Sequence, residues 1–166
     1  MKKLFAFVLV LLLALPVYAG AEEAPAAAET VPAQGDGYAI AYDAAAFAFY
    51  RDGVTEGTDL LVPTQDAPNP VYLLISRVED MRSERDSFAE NGYADAGEAT
   101  LASGLSAQVY TLERSGVDYA AYLVEGEGAA FCLLTVCSQQ AEEYAAQLGA
   151  VANSFAFAEE TAQSAA

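Results

Sequence analysis

The chain has no histidine, no tryptophan and only two cysteines, and it sets 7 Lys+Arg against 24 Asp+Glu in 166 residues. Each shortage excludes something. Without histidine there is no Ser-His-Asp triad, no Cys-His pair, no imidazole proton shuttle and no His-ligated zinc or iron. A formal net charge of −17 repels phosphate backbones, so nucleic acid is excluded as a partner. What the chain has in quantity is apolar side chains, 54% of residues. That fraction argues against wholesale disorder, and the length suits one domain.

Both lysines lie at the start, as Lys2 and Lys3, ahead of a twelve-residue apolar run from Leu4 to Leu15 and then Pro16-Val17-Tyr18-Ala19. A positive start, an apolar middle and a small-residue exit make a secretory signal peptide. Val17 and Ala19 place cleavage before Gly20, while Ala19 and Ala21 offer a second register before Glu22. The apolar run falls short of the about 20 residues that a spanning helix needs. No cysteine lies near the cleavage region. The expected product is therefore secreted, not a lipoprotein, and has no stable membrane insertion. Cleavage leaves five arginines (Arg51, Arg77, Arg82, Arg85 and Arg114) against 24 acids, a charge of −19. With the lysines go Schiff-base and P-loop lysine chemistry. Residues 20–37, rich in Ala, Glu and Pro, bury too little to offset the entropy of ordering and read as a flexible stalk. Residues 159–166 read as a matching tail, which leaves a folded domain over Tyr38 to Ala158.

Within that domain the pattern is strand-rich. Tyr38 to Tyr42 and Phe47 to Tyr50 read as short strands, Asp52-Gly53 as a turn, and Thr55 to Asp59 as a polar loop leading to Leu60-Leu61-Val62. Val71 to Val78 (VYLLISRV) is nearly all apolar, as a central strand covered on both faces would be. Asp80 then caps a charged helix from Met81 to Glu90, which Asn91-Gly92 stops. A short segment near Glu98 to Leu101 precedes three strands: Ser106 to Arg114, Val117 to Glu125 and Ala129 to Cys137. Their tight connections make an antiparallel meander. Ser138 caps a last helix with Glu142 and Glu143 in its first turn. Ala141, Tyr144, Ala145, Leu148, Val151, Ala152 and Phe155 form its buried face, and Phe155 and Phe157 start a final strand. The fold class is α+β, a single domain with a central antiparallel sheet packed by two main helices.

The two cysteines allow a geometric test. Cys132 and Cys137 fall five positions apart on one strand, which separates their Cα atoms by about 16 Å and points them to opposite faces. A disulfide tolerates only about 7 Å. Both are expected to be packed thiols. With no histidine to activate them, and with acidic surroundings, neither reads as a nucleophile.

Other residues carry weaker signals. Asp52, Glu56, Asp59 and Asp66 sit in one loop and invite comparison with calcium ligands, but their spacing matches no calcium-binding hand. Glu79-Asp80 and Glu142-Glu143 are adjacent acids at helix starts, where caps and first-turn acids belong. Tyr110, Tyr119 and Tyr122 fall on adjoining strands, as packing residues or as the lining of a groove. Arg77, Arg82 and Arg85 are either an anion-binding spot or partners of the abundant acids. Gly104, after Ser103, serves a turn.

An opening Tyr-x-Ile-x-Tyr-Asp segment (Tyr38 to Asp43) and a strand VYLLISRV that runs straight into a helix begin a recognisable order. A Gly-led strand (Gly104 to Arg114), a hairpin, an apolar strand and a closing helix ending in Ser154-Phe155 complete it. This order resembles the PsbP-like fold, named for an extrinsic subunit of photosystem II. A Ran-binding nuclear transport factor and small secreted bacterial proteins of the DcrB type share it. The resemblance implies an α/β/α sandwich and a non-enzymatic binding or assembly module. Histidine-dependent metal binding in some relatives has no counterpart here. The expectation is a secreted binding or accessory module at the bacterial cell envelope. It has no catalytic, cofactor-binding or metal residues and no cofactor, and its partner is a protein or small ligand. The alternatives are a carboxylate-dependent hydrolase-like enzyme and a purely structural or solubilising domain.

Overall fold

The computed structural model describes residues 30–126 and 128–158. The expected signal peptide with both expected cleavage positions, residues 20–29, and the expected tail from 159 lie outside the described residues. In chain order the elements are β1 (Thr30–Gln34), β2 (Tyr38–Asp43), β3 (Phe47–Thr55), β4 (Thr58–Pro63), β5 (Val71–Val78) and α1 (Met81–Glu90). There follow β6 (Ala94–Thr100), β7 (Ser106–Arg114), β8 (Val117–Glu125), β9 (Ala130–Ser138), α2 (Glu142–Asn153) and β10 (Ala156–Phe157). Seven strands form one antiparallel sheet in the order β3-β4-β5-β9-β8-β7-β6, and β1, β2 and β10 form a second, smaller one. None of the described helices is long and apolar enough to cross a membrane.

The unbroken apolar stretch AFCLLTVCS becomes β9, the fourth of the seven strands and buried at eight of its nine positions. A strand covered on both faces loses the alternation that a half-solvated strand shows. The sequence pattern placed VYLLISRV in that role, but β5 lies between β4 and β9. Its Val71, Leu73 and Ile75 are buried, and Tyr72, Leu74 and Ser76 only half-buried. The reason is the reach of α1. Phe88 is its one buried residue, and it clusters with Tyr110, Ala121, Leu123 and Cys132 on β7, β8 and β9, with only Val78 of β5 beside them.

On the other face, α2 and the small sheet share the cover. Tyr38 and Ile40 of β2 join Leu148, Val151, Ala152 and Phe155 in the main core against Leu73, Leu133 and Phe131. The Ser154 hydroxyl fastens the two covers together, accepting from the Ala41 N–H at 2.8 Å and donating to the Val151 carbonyl at 2.6 Å. The α+β class holds. The expected single sheet between two helices becomes two sheets and two helices, because strands supply half of one cover.

Four boundaries differ from the sequence reading. β1 lies inside the stretch expected to be a stalk: Thr30 to Gln34 pair with Asp43 to Ala39, so backbone hydrogen bonds order a segment with little to bury. Asp52-Gly53 does not reverse the chain. β3 runs on to Thr55 with a bulge between Tyr50 and Thr55, and the reversal comes at Glu56-Gly57, where Gly57 has φ +79°. The segment near Glu98 to Leu101 is the end of β6, an edge strand bulged between Asp95 and Gly97. Ser138 caps a 3-10 turn, Gln139–Ala141, with α2 beginning after it. Asp80 caps α1 as expected, accepting from the N–H groups of Arg82 and Ser83.

Cys132 and Cys137 are free and buried, and they belong to the two opposite core clusters. Burial pushes the Cys132 thiol up to about 12, with the charge of Glu84 adding to the rise. A thiol raised in the folded state stays protonated while the unfolded chain ionises. Stability is therefore intact below the ordinary thiol range and declines above it, by up to about 1.4 kcal/mol per pH unit for each such thiol. Urea unfolding at pH 8 and pH 10 measures this, and Cys132→Ala is expected to flatten the decline. A disulfide-exchange reagent should find no reactive thiol in the native chain and both in denaturant. No free thiol in either state would refute the placement of both cysteines.

Candidate functional site

α2 lies mainly over β9, with lesser contact to β5, so the large sheet extends past it through β8, β7 and β6. The step between helix and sheet is a groove of about 350 Å³, with Thr111, Ala120, Thr135 and Cys137 on the strand side and Ala145, Leu148 and Gly149 on the helix side. Tyr122 also lines it, and Glu113 and Asp118 stand at its rim. A second hollow shares Asp118, Cys137 and Ala145 with it and continues to Ser138, Gln139 and Glu142 at the start of α2.

The register explains this lining. Asp118, Ala120 and Tyr122 pair with Cys137, Thr135 and Leu133, and Glu113 and Thr111 pair with Asp118 and Ala120, so all share one face. The Thr135 hydroxyl donates to the Ala120 carbonyl at 3.2 Å and is occupied within the sheet. Burial pushes the Tyr122 phenol up. Cys137 is pushed up as well, by burial and then by Asp118 and Glu143, and its Sγ lies 3.3 Å from the Ala141 carbonyl. A buried thiol with a raised pKa beside acids is a poor nucleophile. Glu113 and Asp118 are exposed neighbours on adjacent strands, not acids set against each other across a dry cavity.

The residues singled out from sequence are distributed as follows. Of the three tyrosines, Tyr119 and Tyr122 line the groove and Tyr110 does not. Tyr110 stacks on Phe88 under α1, and Tyr119 meets Tyr93 edge-on. The supposed calcium loop does not gather. Asp59 is buried, accepting from the Tyr38 hydroxyl and the Asp52 N–H, while Asp52 Oδ1 accepts from the Gly57 N–H. Glu56 and Asp66 are exposed, and no cluster of three metal-ligating side chains occurs among the described residues. Arg77 donates to the Gly128 carbonyl at 3.4 Å. Arg82 and Arg85 stand exposed on α1. Ser103 donates to the Phe155 carbonyl at 2.6 Å, and Gly104, at φ +84°, turns the chain.

Gly149 went unnoticed in the sequence. It interrupts the apolar face of α2 between Leu148 and Val151, and a Cβ built on it would meet nothing within 4 Å. A glycine inside a helical pattern was the available signal.

No protein-family model matches the chain, and no curated protein matches it.

Proposed function

We propose that this chain is a secreted, non-enzymatic binding module of the bacterial cell envelope, built on a PsbP-like fold, and that the groove beside α2 receives its ligand. Gly149 is the observation that carries the reading. Glycine in a helix interior costs about 1 kcal/mol against alanine. Here neither a positive φ nor a close neighbour demands it. What the missing side chain provides is open space along the groove wall. The absence of histidine, and of lysine after cleavage, supports binding over catalysis, as do rim acids left in solvent.

A fragment screen followed by amide shifts in two-dimensional NMR spectra of the mature chain tests this. The expected result is a set of hits whose shifts converge on Thr111, Tyr122, Thr135 and Gly149. Gly149→Leu should abolish those hits while the helix gains about 0.5–1 kcal/mol from the better helix former. Hits scattered over the surface, or unchanged binding to the stabilised variant, would count against the groove.

A further inference from the structure

We infer that the groove's ligand is a small aliphatic amine, its ammonium group at the Glu113–Asp118 rim and its apolar stem along Ala145 and Tyr122. The inference rests on the reading of the groove as a binding site and adds the chemistry of what enters it.

Charge and shape together carry it. Glu113 and Asp118 are direct partners across the β7–β8 ladder. The two-residue turn between these strands, with Ser115 at φ 55° and Gly116 at φ 74°, closes on the pair Arg114–Val117. That makes the next pair non-hydrogen-bonded, the class in which Cα atoms lie about 4.5 Å apart. Like charges placed so are unfavourable unless a cation stands between them. Strand alternation denies them the nearest one: Arg114 points to the opposite face and donates to the Asn91 carbonyl at 2.9 Å. Among the described residues no arginine lines the groove or its continuation, while Glu142 adds a third carboxylate. Asp118 receives one neutral donor, the Gln139 side-chain amide at 3.0 Å, which leaves the pair's charge uncompensated.

Behind the rim the chemistry changes. The accessible wall there is Ala120, Tyr122 and Ala145, the Thr135 hydroxyl is already committed to the Ala120 carbonyl, and Gly149 keeps the wall low. An anion entering here meets repulsion, and a neutral polar molecule finds few free donors. A cation with a short apolar stem satisfies both zones. A volume of about 350 Å³ lies at the small end of ligand cavities, about 300–1,000 Å³, which favours a small molecule over a folded partner.

The test titrates the mature chain with 1-aminohexane, 1-hexanol and hexanoate and follows groove amide shifts at low and high salt. The amine is expected to bind about tenfold tighter than the alcohol at low salt, hexanoate not at all, with the advantage shrinking as salt screens the rim. Glu113→Gln combined with Asp118→Asn should erase the advantage. Asp86→Asn combined with Glu90→Gln removes two acids from α1, on the other face, and should preserve it. If the alcohol matches the amine, or the α1 pair weakens the amine as much as the rim pair does, the ligand class is wrong and groove binding still stands. If none of the three compounds moves a groove amide, the amine inference falls, and the fragment screen judges the groove separately.

Discussion

Phe131→Ala is expected to lower stability by about 4 kcal/mol, the upper range for deleting a buried aromatic ring. Phe131 is 2% exposed on β9 and joins the two sheets. Its ring meets Tyr38 at 5.3 Å, Phe155 at 5.6 Å and Phe157 at 6.0 Å between centroids. Those three rings come from β2, the link between α2 and β10, and β10. Removing Phe131 opens a cavity where elements far apart in sequence meet, and no single neighbour can fill it. Tyr38 is pinned by its hydroxyl and by Gly35, where a Cβ would run into the Tyr38 ring. Urea unfolding monitored by circular dichroism measures the loss, and limited proteolysis should show the β1–β2 hairpin cut first. A loss under about 1 kcal/mol would mean that the small sheet docks by other contacts. Phe157→Ala, at a half-buried position, gives the internal comparison and should cost far less.

Asp59→Ala is the second large effect, expected at about 3 kcal/mol. Asp59 is 6% exposed, and its carboxylate serves two donors from different elements, the Tyr38 hydroxyl of β2 and the Asp52 N–H in the β3 bulge. Alanine leaves the buried Tyr38 hydroxyl without an acceptor and takes the partner from the part-buried Asp52 N–H. Burial raises the Tyr38 phenol far above its ordinary range, and the hydrogen bond and charge of Asp59 add to this. Tyr38 is therefore a neutral donor at every working pH. Tyr38→Phe removes one donor and should cost about 1 kcal/mol. In the double variant the losses should fall short of additivity, because both substitutions break the same bond. Strict additivity, measured by the same urea titrations, would show that the two groups do not depend on each other.

Local signals were legible and long-range ones were not. Asp80 as a cap, Asn91-Gly92 as a stop and the meander from Ser106 onward follow from spacing, and the structure keeps them. The cysteines could be placed because a strand's rise and alternation fix both distance and face. β1 and β6 were missed for a shared reason. TVPAQ and ADAGEAT carry few apolar side chains, and their order comes from hydrogen bonds to β2 and β7 that no local pattern announces. VYLLISRV looked central because composition reports burial but not which neighbour supplies it. The groove was invisible for a related reason. Tyr122 and Gly149 are 27 positions apart in sequence, and only the placement of α2 over β9 brings them to one cavity. Asp59 looked like one solvated acid among several until its neighbours enclosed it.

The two outer strands of the large sheet have a consequence for how the molecule meets others. Both β3 and β6 are bulged, one between Tyr50 and Thr55 and the other between Asp95 and Gly97, and β6 carries Asp95 and Glu98 along its length. A bulge breaks the even row of free N–H and C=O groups that an incoming strand would copy, and negative charge discourages approach. Such a sheet offers a second chain little template on which to extend it. What the large sheet does leave open is a face, the part of it that α2 does not cover.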